Sequence, residues 1–169
     1  MAATPQQSQE VAGRVHTLLR ERGATVATAE SLTGGRLAAA LTAVPGASAT
    51  YVGGVVAYAT SVKHDVLGVP TSVIETHGVI SAECALAMAR GTAALTGATW
   101  GIGTTGVAGP DPQEGHSPGI VHVGIAGPGV ATALALELVG GREVIADRTC
   151  VEALSALAGI LGREEGALG

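Results

Sequence analysis

Ser31, Tyr58 and Lys63 are the residues of this chain whose types and spacing could be combined into a nucleophilic centre. Ser31 stands in "ATAESLTGGRLAAAL", Ala27 to Leu41, where Glu30, Ser31 and Thr33 precede Gly34, Gly35 and an apparent helix. Serine and threonine are favoured at helix starts because their oxygens accept from otherwise unpaired backbone N–H groups. The same junction suits a nucleophile, and the local sequence leaves both readings open. Lys63 is the one lysine among nine basic residues. An arginine bias with one stray lysine explains that count, but so does a chemical need. Arginine keeps its proton in a protein, whereas a desolvated lysine can act as a general base. Tyr58 closes the run "YVGGVVAY". Strand ends in α/β sheets border ligand crevices, so its hydroxyl could join a proton relay. It could equally be a core ring with a wet edge.

Other motifs are weaker. "GIGTTG", Gly101 to Gly106, has the GxGxxG spacing, but "VAGPDPQEGHSPG" follows it and its prolines exclude the helix that a dinucleotide site requires. These glycines could still let bare backbone lie against a ligand. The histidines at 16, 64, 77, 116 and 122 form no HxH or HExxH pair, and no metal site is expected. Ser31 lacks the GxSxG elbow of Ser-His-Asp hydrolases.

These residues need a scaffold, and 169 residues suffice for one domain with a full core. A 47% hydrophobic and 14% charged composition describes a compact globule. The net charge of −5 without a basic run argues against a nucleic-acid surface. Tyr51, Tyr58 and Trp100 are the only aromatic residues, which leaves no platform for stacking bases. Cys84 and Cys150 form no CxxC pair and fit a reduced, cytoplasmic protein. The start "MAATPQQSQE" has no signal-peptide pattern. Gly115 to Leu136 carries no charged side chain, but Gly127-Pro128-Gly129 divides it into two expected buried strands, so no membrane contact is expected.

Helices are expected over Ser8–Arg22, Arg36–Val44, Ser61–Leu67, Ala82–Leu95 and Arg142–Leu161, with Ser81 capping the fourth. Strands are expected at "ATVAT", at Tyr51–Tyr58 as a buried strand, at "ATWGIGTTG", and as a hairpin of Gly119–Ala126 with Val130–Leu138. The alternation predicts a single three-layer α/β/α domain, residues 1–169, on a mixed, mostly parallel sheet with one antiparallel hairpin. Residues 1–7 and 163–169 are expected to fray.

Six segments in register resemble the C-terminal domain of the CinA family, which also occurs alone as a nicotinamide mononucleotide (NMN) amidohydrolase. They are "AESLTGG", "PGASATYVGGVVAYATSVKHDVLGV", "HGVISAECALAMA", "TTGVAGPDP", "SPGIVHVGIA" and "GGR". The resemblance implies hydrolysis of the NMN carboxamide to nicotinic acid mononucleotide and ammonia, without a cofactor, in pyridine nucleotide salvage. It implies Ser31 as nucleophile with Lys63 and Tyr58 as activating partners. Glu30, Thr33, Gly34, Gly35, Thr105, Gly106, Gly109 and Arg142 are the implied substrate-binding residues. Oxyanion donors would come from Thr105-Gly106 or from the helix start at Thr33-Gly34-Gly35. The chain departs from the family pattern at Leu32, usually Cys, at Thr60, usually Asn, and at Ala146, usually Arg. "DPQEGHSPG" also replaces a glycine-rich loop.

The expected partners are the small-molecule substrate and further copies of the chain in a homo-oligomer, with no nucleic acid or membrane. Composite relatives carry a second, N-terminal domain whose chemistry is not expected here. One alternative is a nucleotide-binding module without catalysis. Another is cleavage of the glycosidic bond, for which Glu30 and Asp111 form the one plausible carboxylate pair.

Overall fold

The computed structural model describes residues 4–166. Its first helix, α1 (Pro5–Glu21), starts earlier than its apolar stripe suggested. The Thr4 hydroxyl accepts from the Gln7 N–H, and the Gln7 side chain accepts from the Thr4 N–H, a reciprocal cap that orders residues expected to fray. There follow β1 (Val26–Glu30), α2 (Arg36–Thr42), a single 3-10 turn at Ala47–Ala49, and β2 (Tyr51–Val56). Next come α3 (Thr60–Asp65), α4 (Thr71–His77), α5 (Ala82–Thr96) and β3 (Trp100–Gly106). The hairpin β4 (Ile120–Gly127) and β5 (Val130–Glu137) leads into α6 (Arg142–Gly166), so part of the tail expected to fray is helical.

The strands order as β2-β1-β3-β4-β5. β1 pairs parallel with β2 and β3, whereas β3 with β4 and β4 with β5 pair antiparallel. All strands but β4 therefore run in one direction. This is the expected mixed sheet with a hairpin, and helices cover both faces. Leu19 of α1, Leu37 and Leu41 of α2, and Leu154, Leu157 and Leu161 of α6 pack on Val26, Ile102 and Val123. On the other face, Cys84 and Met88 of α5 meet Ala29, Ala57, Leu67 and Val69.

β2 corrects one expectation. It is an edge strand with alternating exposure, not a buried one, and Val52 and Val56 face outward. β5 forms the opposite edge and is likewise half exposed.

Two glycines of "GIGTTG", Gly101 and Gly103, have a different role from the one considered. A Cβ at Gly101 would lie 1.9 Å from the Ala89 carbonyl oxygen, and one at Gly103 would lie 2.3 Å from that of Ala85. Gly124 of β4 meets the Ala85 carbonyl carbon at 2.4 Å in the same way. These positions are bare so that α5 can rest directly on the sheet, not to admit a ligand. Close contact here seats α5, with the buried Cys84 and Met88, against the sheet.

Candidate active site

β1 ends at Glu30, and Ser31 begins the turn beyond it. The Ser31 N–H donates to the Thr104 carbonyl at 3.0 Å, and its carbonyl accepts from the Gly34 N–H at 3.1 Å. The hydroxyls of Thr33 and Thr104 bond each other at 2.8 Å. The turn is thus fastened to the end of the central strand β3, which gives Ser31 Oγ a fixed place.

The cap of α2 comes from elsewhere. Both carboxylate oxygens of Glu30 accept from the helix start, Oε1 from the Leu37 N–H at 2.8 Å and Oε2 from the Ala38 N–H at 3.1 Å. A carboxylate there satisfies orphan donors and opposes the positive end of the helix dipole. Glu30 is 1% exposed and does not line the cavity described below. The capping alternative for Ser31 therefore loses its basis, and Glu30 with Asp111 makes no carboxylate pair.

Lys63 enters from α3. Its side chain is buried, and Nζ lies 3.0 Å from Ser31 Oγ. Nζ also donates to the carbonyls of Ala57, at 2.7 Å, and Tyr58, at 3.3 Å. Burial pulls the Lys63 pKa below the ordinary lysine value, against the opposing influence of the Cys84 thiol and the Glu114 carboxylate. The Cys84 thiol is itself pushed up to about 11 by burial. A neutral amine has two N–H donors and one lone pair. In that form the two N–H groups would serve the two carbonyls and the lone pair would face the Ser31 hydroxyl, whereas the ammonium donates to all three oxygens.

Tyr58 contributes differently from the expected relay. Its carbonyl binds Lys63, while its exposed hydroxyl accepts from the Arg142 guanidinium at 2.7 Å. Among the described residues that hydroxyl bonds neither Ser31 nor Lys63. Arg142 also donates to the Gly109 carbonyl at 2.8 Å, which spans the mouth from α6 to the loop after β3.

These groups open into a cavity of about 360 Å³, within the range that holds small ligands. Ser31, Tyr58, Lys63, Thr105, Gly106, Gly109 and Arg142 line it, so most of the sequence-derived residues converge. Glu30, Thr33, Gly34 and Gly35 do not line it. In Thr33-Gly34-Gly35 the Gly34 N–H is already given to the Ser31 carbonyl. Sequence reasoning missed Val79, Ile80 and Gln113 as wall residues, and Thr60 and Leu32 as more than departures from a pattern. The "HGVIS" segment was quoted for its likeness alone, yet Val79 also accepts the Thr105 hydroxyl at 2.5 Å. Ala146 is buried and not part of the cavity wall.

Among the described residues no three His, Cys, Asp or Glu side chains converge on a metal position. Cys84 and Cys150 are unpaired and buried. No helix is long and apolar enough to cross a membrane, among the described residues.

A buried serine–lysine pair thus opens from the end of β1, an interior strand paired parallel on both sides in a mixed α/β sheet. The chain belongs to the CinA C-terminal domain family, which matches residues 8–161. A CinA-like protein of Frankia casuarinae is 49% identical over 142 residues, 84% of this chain and 33% of the relative. A Geobacillus kaustophilus protein named as competence-damage inducible is 52% identical over 132 residues, 78% of this chain and 32% of the relative. The chain thus spans about a third of the length of these curated relatives. Solved structures match it more completely. A CinA superfamily protein of Klebsiella pneumoniae superposes with a TM-score of 0.89 at 33% identity, covering 92% of this chain and 98% of that one. A competence/damage-inducible protein of Agrobacterium tumefaciens gives 0.88 at 34% identity, covering 96% and 99%.

Proposed function

We propose that this domain hydrolyses the carboxamide of NMN to nicotinic acid mononucleotide and ammonia, using Ser31 as nucleophile and Lys63 as its base. The observation that carries this reading is the 3.0 Å approach of Lys63 Nζ to Ser31 Oγ at a ligand-sized cavity, with the capping role already filled by Glu30.

Serine is a weak nucleophile until a base removes its proton. Neutral Lys63 accepts the Ser31 proton as Oγ attacks the carboxamide carbon. Backbone N–H groups of the Thr105–Gly109 segment are the candidates for holding the oxyanion, since this stretch forms one cavity wall. The resulting Lys63 ammonium gives its proton to the departing nitrogen, and ammonia leaves an ester on Ser31. Lys63, neutral again, deprotonates a water that attacks the ester. The Lys63 proton returns to Ser31 as the acid product departs, and that product gives up its own proton to ammonia in solution, leaving carboxylate and ammonium. Atoms and charge balance without a cofactor.

Arg142 supports a phosphorylated substrate. Its guanidinium is held at the cavity mouth by Tyr58 Oη and the Gly109 carbonyl, where it can meet a phosphate that extends outward. In this reading Tyr58 orients Arg142 and lends its carbonyl to Lys63, so its hydroxyl need not move a proton.

Product analysis after incubation with NMN tests the proposal. Nicotinic acid mononucleotide and ammonia are expected in equal amounts. Release of free nicotinamide would instead mean glycosidic cleavage, and binding without any product would mean a non-catalytic nucleotide module.

A further inference from the structure

The loop between β3 and β4 forms much of the wall facing Ser31. Gln113 and His116 exchange both backbone hydrogen bonds, at 3.0 and 2.8 Å, so Glu114 and Gly115 sit at a tight tip. Glu114 has φ of +49°, and no other described non-glycine residue has a positive φ. A residue with a Cβ keeps that backbone only where its surroundings hold it.

The holding contact is visible. Glu114 Oε2 accepts from the Val79 N–H at 3.1 Å. The seat is cut to fit, since a Cβ on Gly78 would stand 2.8 Å from that oxygen. Val79 is anchored in turn, because its carbonyl accepts from Thr105, beside Gly106 at the end of β3. Val79 is therefore tied to both the loop and the strand end. Asp111 and Gln113 on the loop, and Thr105 on the strand, all line the Ser31 cavity.

We propose that Glu114 is a positioning residue: by clamping the Val79 N–H, it fixes the 110–118 loop as the wall against which the substrate is aligned with Ser31. The inference rests on the amidase reading for its effect on turnover, while the clamp itself is independent of that reading. Glu114 lies outside the cavity lining and touches no reacting group. Its carboxylate also raises the Lys63 pKa, so its loss favours the neutral amine and should weaken substrate alignment rather than the chemistry.

Two variants and two readouts test this on the full chain. In Glu114→Ala the Val79 amide should exchange with solvent about tenfold faster, the factor expected for a lost charge-assisted hydrogen bond. KM for NMN should rise on the order of fivefold or more, with kcat within about threefold and the melting temperature close to wild type. Glu114→Gln keeps an acceptor oxygen for Val79 and should restore most of the protection and of the KM. A merely structural role would move the melting temperature and kcat without this split or rescue. Unchanged Val79 exchange in Glu114→Ala overturns the clamp, and faster exchange with an unchanged KM overturns its role in alignment. If wild-type protein releases no ammonia from NMN, the amidase reading fails, and Val79 exchange still decides the clamp.

Discussion

Lys63→Arg should lower ammonia release from NMN by about a hundredfold to ten-thousandfold, the range for loss of a general base, and should be nearly as damaging as Lys63→Ala. Were the lysine only a positive charge for the substrate phosphate, arginine would replace it well, because it binds phosphate bidentately. It cannot replace a base, since it stays protonated at any working pH. The position of Lys63 favours the base. Its nitrogen faces Ser31 and two backbone carbonyls inside the fold, while Arg142 occupies the open mouth. The pH profile should carry the same signature. Burial lowers the Lys63 pKa, so the active neutral form accumulates as pH rises. The rate should climb through a pKa below the ordinary lysine value of 10.5. A Lys63→Arg enzyme within a few-fold of wild type would remove Lys63 from the base role.

Ser31→Ala should abolish turnover, a loss of at least about a thousandfold, while leaving the fold and much of the NMN binding intact. The substitution removes one hydroxyl from a turn that backbone bonds to Thr104 and Gly34 hold. Lys63 Nζ keeps both of its carbonyl partners. Helix α2 keeps its cap, because Glu30 and not Ser31 provides it. Thermal unfolding and NMN titration of the variant check that half of the expectation. Ammonia release near the wild-type rate would show that Ser31 is not the nucleophile.

Much of this centre was legible because the sequence is sparse where chemistry is concerned. A single lysine among arginines drew attention to position 63, and the register of six segments placed Ser31, Thr105 and Arg142 with it. The role of Glu30 was not legible. Capping rules look at the residue beside the helix, whereas this carboxylate arrives from the preceding strand, seven residues before the Leu37 N–H it accepts. The polar cluster in "ESLTGG" therefore read as one site, although it divides into a cap, a serine that faces Lys63 and a turn. "YVGGVV" read as buried because its glycines obscure the alternation of an edge strand. Gly54 is bare for packing, since a Cβ there would lie 2.3 Å from Thr28 Oγ1. Helix α4 went unseen because it buries no side chain fully and so shows no strong apolar stripe. The Glu114–Val79 bond joins residues 35 apart, a pairing that no local pattern records.

The central claim is a covalent ester on Ser31, and interception by hydroxylamine tests it most directly. Hydroxylamine attacks such an ester in place of water, freeing Ser31 and giving the hydroxamate of the nucleotide. With NMN as substrate, rising hydroxylamine should divert product from nicotinic acid mononucleotide to this hydroxamate, and Ser31→Ala should form neither. Ammonia released at the full rate with nicotinic acid mononucleotide as the sole product, whatever the hydroxylamine concentration, would contradict the acyl-enzyme account.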